Sequence, residues 1–223
     1  MKTLVAIVPA RRADHHLPGK NVLPFGGTTL LAHKIRQLRR VARVEEVLVT
    51  SEDPDYLALA RDEGATPWPR PEEFARLDAD FGAFVRHVAG GVEAMHILWA
   101  SPTSPLVDEA DYASAIARYF HCLGEGYDSL VSVKEVKRNL LDDNGPLTFR
   151  FAPSTRHGPR VKRLFEFTNG VVLAPARAMV AWRYNWGPTP YKLELDPAKS
   201  VNICDAIDYE IACFLHARAQ GRP

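Results

Sequence analysis

Apolar positions along this chain fall into short continuous runs and helical stripes that alternate from the first residues onward. Leu4 to Val8 is an apolar, largely β-branched run that stops at Pro9 and reads as a buried strand. Leu30, Leu31, Ile35 and Leu38 recur at helical spacing, with Thr28 or Thr29 placed to cap them. Val47 to Thr50 is a second strand. A helix begins at Pro54, runs to about Glu63, and is ended by Gly64. Ala65 to Pro69 is a short extended piece, Phe81 to Glu93 a helix, Met95 to Trp99 a core strand, Asp108 to Phe120 a helix and Ser129 to Val133 a strand. Strands separated by helices of about 10–15 residues make βαβ units, so the class is α/β with a mainly parallel sheet.

The rhythm changes after Lys134. Residues 137–167 carry Asn144-Gly145-Pro146, short alternating pieces and many cations, the pattern of a β-rich excursion from the sheet. Val171 to Leu173 returns to core strand character, and Tyr191 to Leu195 is another short strand. Asp205 to Arg218 is a terminal helix with Ile207, Ile211 and Leu215 on one face. No repeat or linker interrupts the chain, so residues 1–223 are expected to form one domain.

Composition narrows the function classes without naming one. With 46% hydrophobic and 25% charged residues the chain is ordinary globular protein. A formal net charge of +1 gives no global field for nucleic acid, so any phosphate site must be local. The three cysteines, Cys122, Cys204 and Cys213, have no paired spacing, which fits a reduced compartment. No apolar stretch approaches the roughly 18 residues of a membrane span. Met1-Lys2-Thr3 leads straight into a strand without a signal-peptide pattern. The expectation is a cytoplasmic protein with no nucleic-acid or membrane partner.

The chemistry concentrates after the first strand. Ala10-Arg11-Arg12-Ala13-Asp14-His15-His16-Leu17-Pro18-Gly19-Lys20-Asn21 is a cation-rich loop at a strand's carboxyl end, where open α/β sheets bind ligands. Guanidinium and ammonium groups there suit a polyphosphate, hence a nucleotide. His15 and His16 read equally as surface residues or phosphate contacts. Ser101, Thr103 and Ser104 read either as site hydroxyls or as loop-shaping groups that cap the helix after Asp108. Asn169-Gly170 is a common turn pair. Arg156, Arg160, Lys162 and Arg163 read as a basic cluster or a solvated face. Trp182, Tyr184 and Trp186 read as packing at a core edge or an interface rather than as stacking on a base.

Taken in order, these segments resemble the acylneuraminate cytidylyltransferases, which make CMP-activated sialic acids and related sugar acids. That family opens with a strand ending P-A-R-G-G-S-K-G-I-P-G-K-N, matched here by Pro9-Ala10-Arg11 and Pro18-Gly19-Lys20-Asn21, then Pro24 and Gly26-Gly27. Its L-Q-P-T-S-P-L-R corresponds to Ala100 to Val107, its R-P to Arg70-Pro71 and its N-G to Asn169-Gly170. Its ending S-x-D-I-D corresponds to Ser200-Val201-Asn202-Ile203-Cys204, followed by Asp208-Tyr209-Glu210. The resemblance implies a Rossmann-like three-layer nucleotidyltransferase fold and a homodimer joined through the excursion at about 137–167. It implies attack of a sugar-acid hydroxyl on the α-phosphate of CTP, with Mg²⁺ as cofactor and an acidic sugar as acceptor. It assigns Arg11, Lys20 and Ser101 to catalysis. Ala10, Arg11, Arg12, His15, Lys20, Asn21 and Arg70 go to the nucleotide, and Ser101, Thr103, Ser104 and Asn169 to the acceptor.

The differences cluster in the site. Arg12 to His16 replaces the glycine-rich stretch with bulkier residues and adds the carboxylate of Asp14. Ser101 stands where the family has Gln. Asn202 and Cys204 stand where it has two metal carboxylates, with Asp205 adjacent. Alternation with Val201 and Ile203 puts Asn202 and Cys204 on one face of an extended segment. A small buried hydrophobe is the other reading of Cys204. Metal ligation is assigned to Asn202 and Asp205. Two functions follow: an active cytidylyltransferase, or a catalytically impaired homologue that binds nucleotide or a protein partner without turnover.

Overall fold

The computed structural model describes residues 1–149 and 163–221. The strands are β1 (Lys2–Pro9), β2 (Pro24–Phe25), β3 (Thr28–Thr29), β4 (Glu46–Ser51), β5 (Thr66–Pro69), β6 (Ala94–Trp99), β7 (Ser129–Glu135), β8 (Leu141–Asp142), β9 (Gly145–Pro146), β10 (Phe165–Pro175) and β11 (Pro190–Glu194). The helices are α1 (Leu30–Arg39), α2 (Pro54–Asp62), α3 (Phe81–Gly91), α4 (Glu109–Leu123), α5 (Ala176–Trp182) and α6 (Ala206–Ala219). Seven strands form one sheet in the order β11-β7-β10-β6-β1-β4-β5. β1 pairs in parallel with β4 and β6, β4 with β5, and β7 with β11; β10 runs antiparallel between β6 and β7.

The expected α/β class with a mainly parallel sheet is what forms. β1 is covered on both faces. Leu4, Ala6 and Val8 enter a core with α1 and α4, while Val5 and Ile7 enter one with α3 and α5. Helix caps follow local chemistry: Thr29 Oγ1 accepts from Ala32 N at 3.2 Å, and Asp53 and Asp80 cap α2 and α3. Asp108 and Asp111 make a reciprocal capping box on α4. Asp108 therefore caps its own helix, and the hydroxyls of Ser101, Thr103 and Ser104 are left for other partners.

Several expectations change. α5 is a helix that the sequence pattern does not reveal, since Ala176-Arg177-Ala178-Met179-Val180 buries only Ala176 and Met179. β10 is longer than Val171 to Leu173, begins inside the expected excursion, and changes register between Phe167 and Val172. The described part of the excursion holds the two-residue pair β8–β9. The cluster members Arg156, Arg160 and Lys162 lie outside the described residues, while Arg163 pairs with Glu135 and Glu194. Residues 201–205 form a loop, not a strand. The Ile207 stripe of α6 faces largely outward: Ile207 is 67% and Ile211 43% exposed, Leu215 is half-buried, and Ala212 is the buried residue of that helix. Trp182 and Trp186 pack partly against the α3–α5 core, whereas Tyr184 is exposed. No helix among the described residues is long and apolar enough to cross a membrane.

Lys34 of α1 is fully buried in the other core layer. Its Nζ donates to Val107 O at 3.2 Å and to Tyr112 Oη at 2.8 Å, and Tyr112 Oη donates to Gly170 O at 3.2 Å. Burial lowers its pKa to about 7, against opposing fields from Glu109, Asp111 and Asp108. An unfolded lysine titrates near 10.5, so between about pH 7 and 10 the unfolded chain holds more protons and stability rises with pH. Lys34→Met removes this term. The stability of the native protein relative to Lys34→Met should rise between pH 7 and 9 with a slope approaching about 1.4 kcal/mol per pH unit, measured by urea unfolding. A pH-independent difference would contradict the burial of an ionisable Lys34.

Candidate functional site

The candidate residues gather beyond the carboxyl ends of β1, β4 and β6. Ala10 is buried, its N–H donating to Thr50 O at 3.0 Å, which fixes the point where the loop leaves the sheet. Gly19 adopts φ 71°, a left-handed conformation that closes the loop into the short 3₁₀ turn starting at Lys20. Asn21 is buried beneath it, and its Nδ2 donates to Arg11 O at 2.8 Å.

Every cation of this loop already has an internal partner. Arg11 donates from Nε to Ala13 O at 2.9 Å and from Nη1 to Arg76 O at 3.0 Å. Arg12 Nη1 meets Asp53 Oδ2 at 2.7 Å, and its backbone N–H donates to Glu52 Oε1 at 2.8 Å. The hydrogen bond with Asp53 raises the Arg12 pKa. Lys20 Nζ lies 2.7 Å from Asp14 Oδ2. Asp14 Oδ1 accepts from His16 N at 3.0 Å and Leu17 N at 3.1 Å. Partial burial raises the Asp14 pKa, but the Lys20 bond and these two amides outweigh it and hold the carboxyl at about 2. His15 and His16 are exposed, their rings 6.4 Å apart.

Arg70 enters from the end of β5, a buried guanidinium whose Nη2 donates to Thr50 O at 3.0 Å and whose face lies 4.3 Å over Phe84. Burial lowers it to about pKa 10, so it remains charged at neutral pH. Its Nε has no partner, and neither do the nearby buried Glu52 Oε2 and Tyr56 Oη. Arg70 was singled out in the sequence, whereas Glu52 and Tyr56 are residues that sequence reasoning missed. Glu52 and Tyr56 read as ordinary residues after a strand and in a helix, and only packing turns them toward the loop. Buried polar atoms without partners are costly, about 1–3 kcal/mol each, and a bound molecule that reached them would relieve that cost.

On the other side, loop 101–104 is tied to the segment before α6. Thr103 Oγ1 donates to Asn202 Oδ1 at 2.7 Å, so the 2.7 Å contact between Ser101 Oγ and Thr103 Oγ1 has Ser101 as donor. Ser104 Oγ shares its hydrogen between Thr168 O at 3.3 Å and Asn202 Oδ1 at 3.4 Å. Ile203 N donates to Thr103 O at 2.8 Å. Thr168 Oγ1 lies 2.8 Å from Ser132 Oγ, which also accepts from Val171 N at 2.8 Å. That network flanks Asn169, which holds φ 55° in the bulge of β10. A Cβ on Gly170 would stand 2.9 Å from Val107 Cγ2, so the turn needs glycine after Asn169.

The assigned metal ligands serve other purposes. Asn202 Oδ1 takes two hydroxyl donors, and Asn202 Nδ2 donates to Cys204 Sγ at 3.4 Å. Asp205 caps α6 by accepting from Asp208 N at 3.0 Å. Cys204 is exposed, not the small buried hydrophobe of the other reading; desolvation and Asp208 push its thiol up, and a thiol is a poor ligand for a hard cation. No three His, Cys, Asp or Glu side chains among the described residues converge on one point. As placed, this donor set does not fit Mg²⁺.

Comparison with known proteins places these features in a family. Residues 5–148 match the family described as Cytidylyltransferase. The N-acylneuraminate cytidylyltransferase of Escherichia coli is 27% identical over 223 residues, taking in 96% of this chain and 52% of that protein. The CMP-N,N'-diacetyllegionaminic acid synthase of Legionella pneumophila is 31% identical over 108 residues, 46% of this chain and 47% of that one. The chain thus spans about half the length of the curated relatives it matches. Among solved structures, CMP:2-keto-3-deoxy-manno-octonic acid synthetase complexed with CTP superposes with TM-score 0.68 at 14% identity, over 98% of this chain and all (100%) of that one. The 4-diphosphocytidyl-2C-methyl-D-erythritol synthase of Anaerococcus prevotii superposes with TM-score 0.65 at 11% identity, over 98% and 99%. These two likenesses are likenesses of fold.

The Asp14–Lys20 pair gives a direct test of the loop's electrostatics. Asp14→Asn keeps an oxygen for the His16 and Leu17 amides and removes the counter-ion of Lys20. Calorimetry with tripolyphosphate should show binding tightened by about three- to tenfold, the return from an ion pair at a partly exposed site. Unchanged affinity would mean that Lys20 does not face the ligand.

Proposed function

The chain belongs to the cytidylyltransferase family, and we propose that it transfers CMP from CTP to an acidic, sialic-acid-like sugar with release of pyrophosphate. The observation that carries this reading is the pairing of a cation-rich loop with a buried Arg70 whose Nε lacks a partner, at the carboxyl ends of β1 and β4. Relatives that make CMP-activated acidic sugars support the acceptor class.

In the proposed reaction, a hydroxyl oxygen of the acceptor attacks the α-phosphorus of CTP. The bond from that phosphorus to the α,β-bridging oxygen breaks, pyrophosphate leaves, and the hydroxyl proton passes to solvent. Arg11, Arg12 and Lys20 exchange their internal partners for phosphate oxygens and offset the charge that builds on the leaving group. His15 lies on the same loop within the nucleotide assignment. Asn21, Ala10 and Arg70 take the cytidine side. Ser101, Thr103, Ser104 and Asn169 line the acceptor side, where near-attack alignment of the hydroxyl lowers the barrier. Because the 202–205 donor set does not fit Mg²⁺, charge compensation falls to the loop cations. We further infer a homodimer working in the cytoplasm.

A second reading has an observation of its own. Every loop cation is already paired and the donor set lacks carboxylates free for a metal, which favours a homologue that holds nucleotide without turning it over. Turnover separates the two. The purified protein with CTP and N-acetylneuraminic acid should release pyrophosphate in an enzyme-coupled assay; CTP binding with no release from any sugar acid would select the second reading.

Asn169→Gly tests the acceptor assignment without disturbing the backbone, because glycine accepts φ 55° freely. The kcat/KM for the acceptor should fall at least tenfold while the Kd for CTP holds within about twofold, a loss of roughly 1.4 kcal/mol confined to one substrate. An equal loss for both substrates would place Asn169 outside the acceptor site.

A further inference from the structure

A cleft of about 820 Å³ lies away from the cation-rich loop, between α1, the start of α4 and the end of α6. Its volume matches a small-molecule site. Leu106 and Leu215 supply apolar surface, and Gln37 and His33 of α1 line it as well.

Gln37 is 7% exposed and only half satisfied. Its Nε2 donates to Pro105 O at 3.0 Å, while its Oε1 has no partner. Reversing the amide would set Oε1 against the Pro105 carbonyl, two acceptors face to face, so the unpaired atom is the oxygen. His33 behaves alike. Nε2 lies 3.2 Å from the same Pro105 O, which can only accept, so the hydrogen is on Nε2 and Nδ1 is left as an acceptor. Burial, with Lys34 and His216 beside it, lowers His33 to about pKa 4 and keeps the ring neutral. These side chains therefore offer acceptors and call for donors.

The rim carries cations and carboxylates together. Arg36 is held by Glu63, Arg40 by Glu109 and Lys199 by Asp108 and Asp111. Among the described residues no carboxylate holds Arg218, which also lines the cleft. An acceptor-lined interior with an unpaired guanidinium fits a ligand that carries hydroxyls on one part and negative charge on another.

We propose that this cleft is a second small-molecule site, one that takes a hydroxylated anion, its hydroxyls on Gln37 Oε1 and His33 Nδ1 and its charge on Arg218. Pro105 O, held by both Gln37 and His33, belongs to the loop that carries Ser101, Thr103 and Ser104. Occupancy thus reaches the nucleotidyl-transfer site through that loop, a part of the proposal that rests on the CTP reading above, and coupling of this kind is reciprocal.

The test is calorimetric titration of the purified chain with D-gluconate and with glycerol 3-phosphate, which separate a carboxylate from a phosphate source. Saturable binding of either is expected. Sorbitol, which lacks the charge, and sulfate, which lacks the hydroxyls, should bind at least tenfold more weakly. Arg218→Ala, at an exposed position, and Gln37→Leu should each weaken the bound probe at least tenfold. No saturable heat from either probe, or affinities untouched by both substitutions, overturns the site. The CTP titration is then repeated with the probe bound. A change of threefold or more in CTP affinity is expected; an unchanged value overturns the coupling. Absence of any CTP binding would defeat the nucleotide reading alone, because the probe titration stands without it.

Discussion

Burial of β1 on both faces is the constraint from which the rest follows. Its side chains from Leu4 to Val8 are enclosed by α1 and α4 on one side and α3 and α5 on the other. A strand so enclosed cannot carry charge along its length without a large desolvation cost. The polar residues are pushed to the point where the chain leaves the sheet, after Pro9. The parallel neighbours β4 and β6 deliver Glu52, Asp53 and loop 101–104 to the same rim. The site is therefore a consequence of how the core is covered, as in other open α/β sheets.

The rim is electrostatically self-contained. Lys20 faces Asp14, Arg12 faces Asp53, and Arg11 faces backbone carbonyls. An anionic ligand must displace these partners, so its net gain is the difference between two sets of charge-assisted bonds. Arg70 differs, because its partly unsatisfied guanidinium is buried and held over Phe84, and a ligand group there completes a bond without breaking one. In the proposed reaction, recognition on the base side and neutralisation on the phosphate side would thus rest on different physics.

Opposite them, Asn202 works as a joint. Its amide oxygen gathers Thr103 and Ser104, and its amide nitrogen reaches Cys204, so one side chain binds loop 101–104 to the lead-in of α6. Ser104 carries the connection on to Thr168, next to the strained Asn169. Lys34 and Tyr112 brace the same region from beneath, through Val107 O and Gly170 O. The side proposed for the acceptor is a hydrogen-bonded frame, in contrast to the displaceable ion pairs of the loop.

The α/β alternation, the strand-end position of the cationic loop, and a cap at Thr28 or Thr29 were legible in the sequence, because each depends on residues a few positions apart. The family resemblance was legible for the same reason, being carried by short ordered segments. The rest required packing. Thr103 meets Asn202 across 99 positions, and Asp53 reaches Arg12 across 41; no local periodicity encodes such pairs. The outward face of α6 and the short α5 also escaped the pattern, since an apolar stripe states what can be buried and the neighbouring layers decide what is. Lys34 shows the limit most plainly: its charge is in the sequence, but only the surrounding helices and the Val107 carbonyl place it in the core.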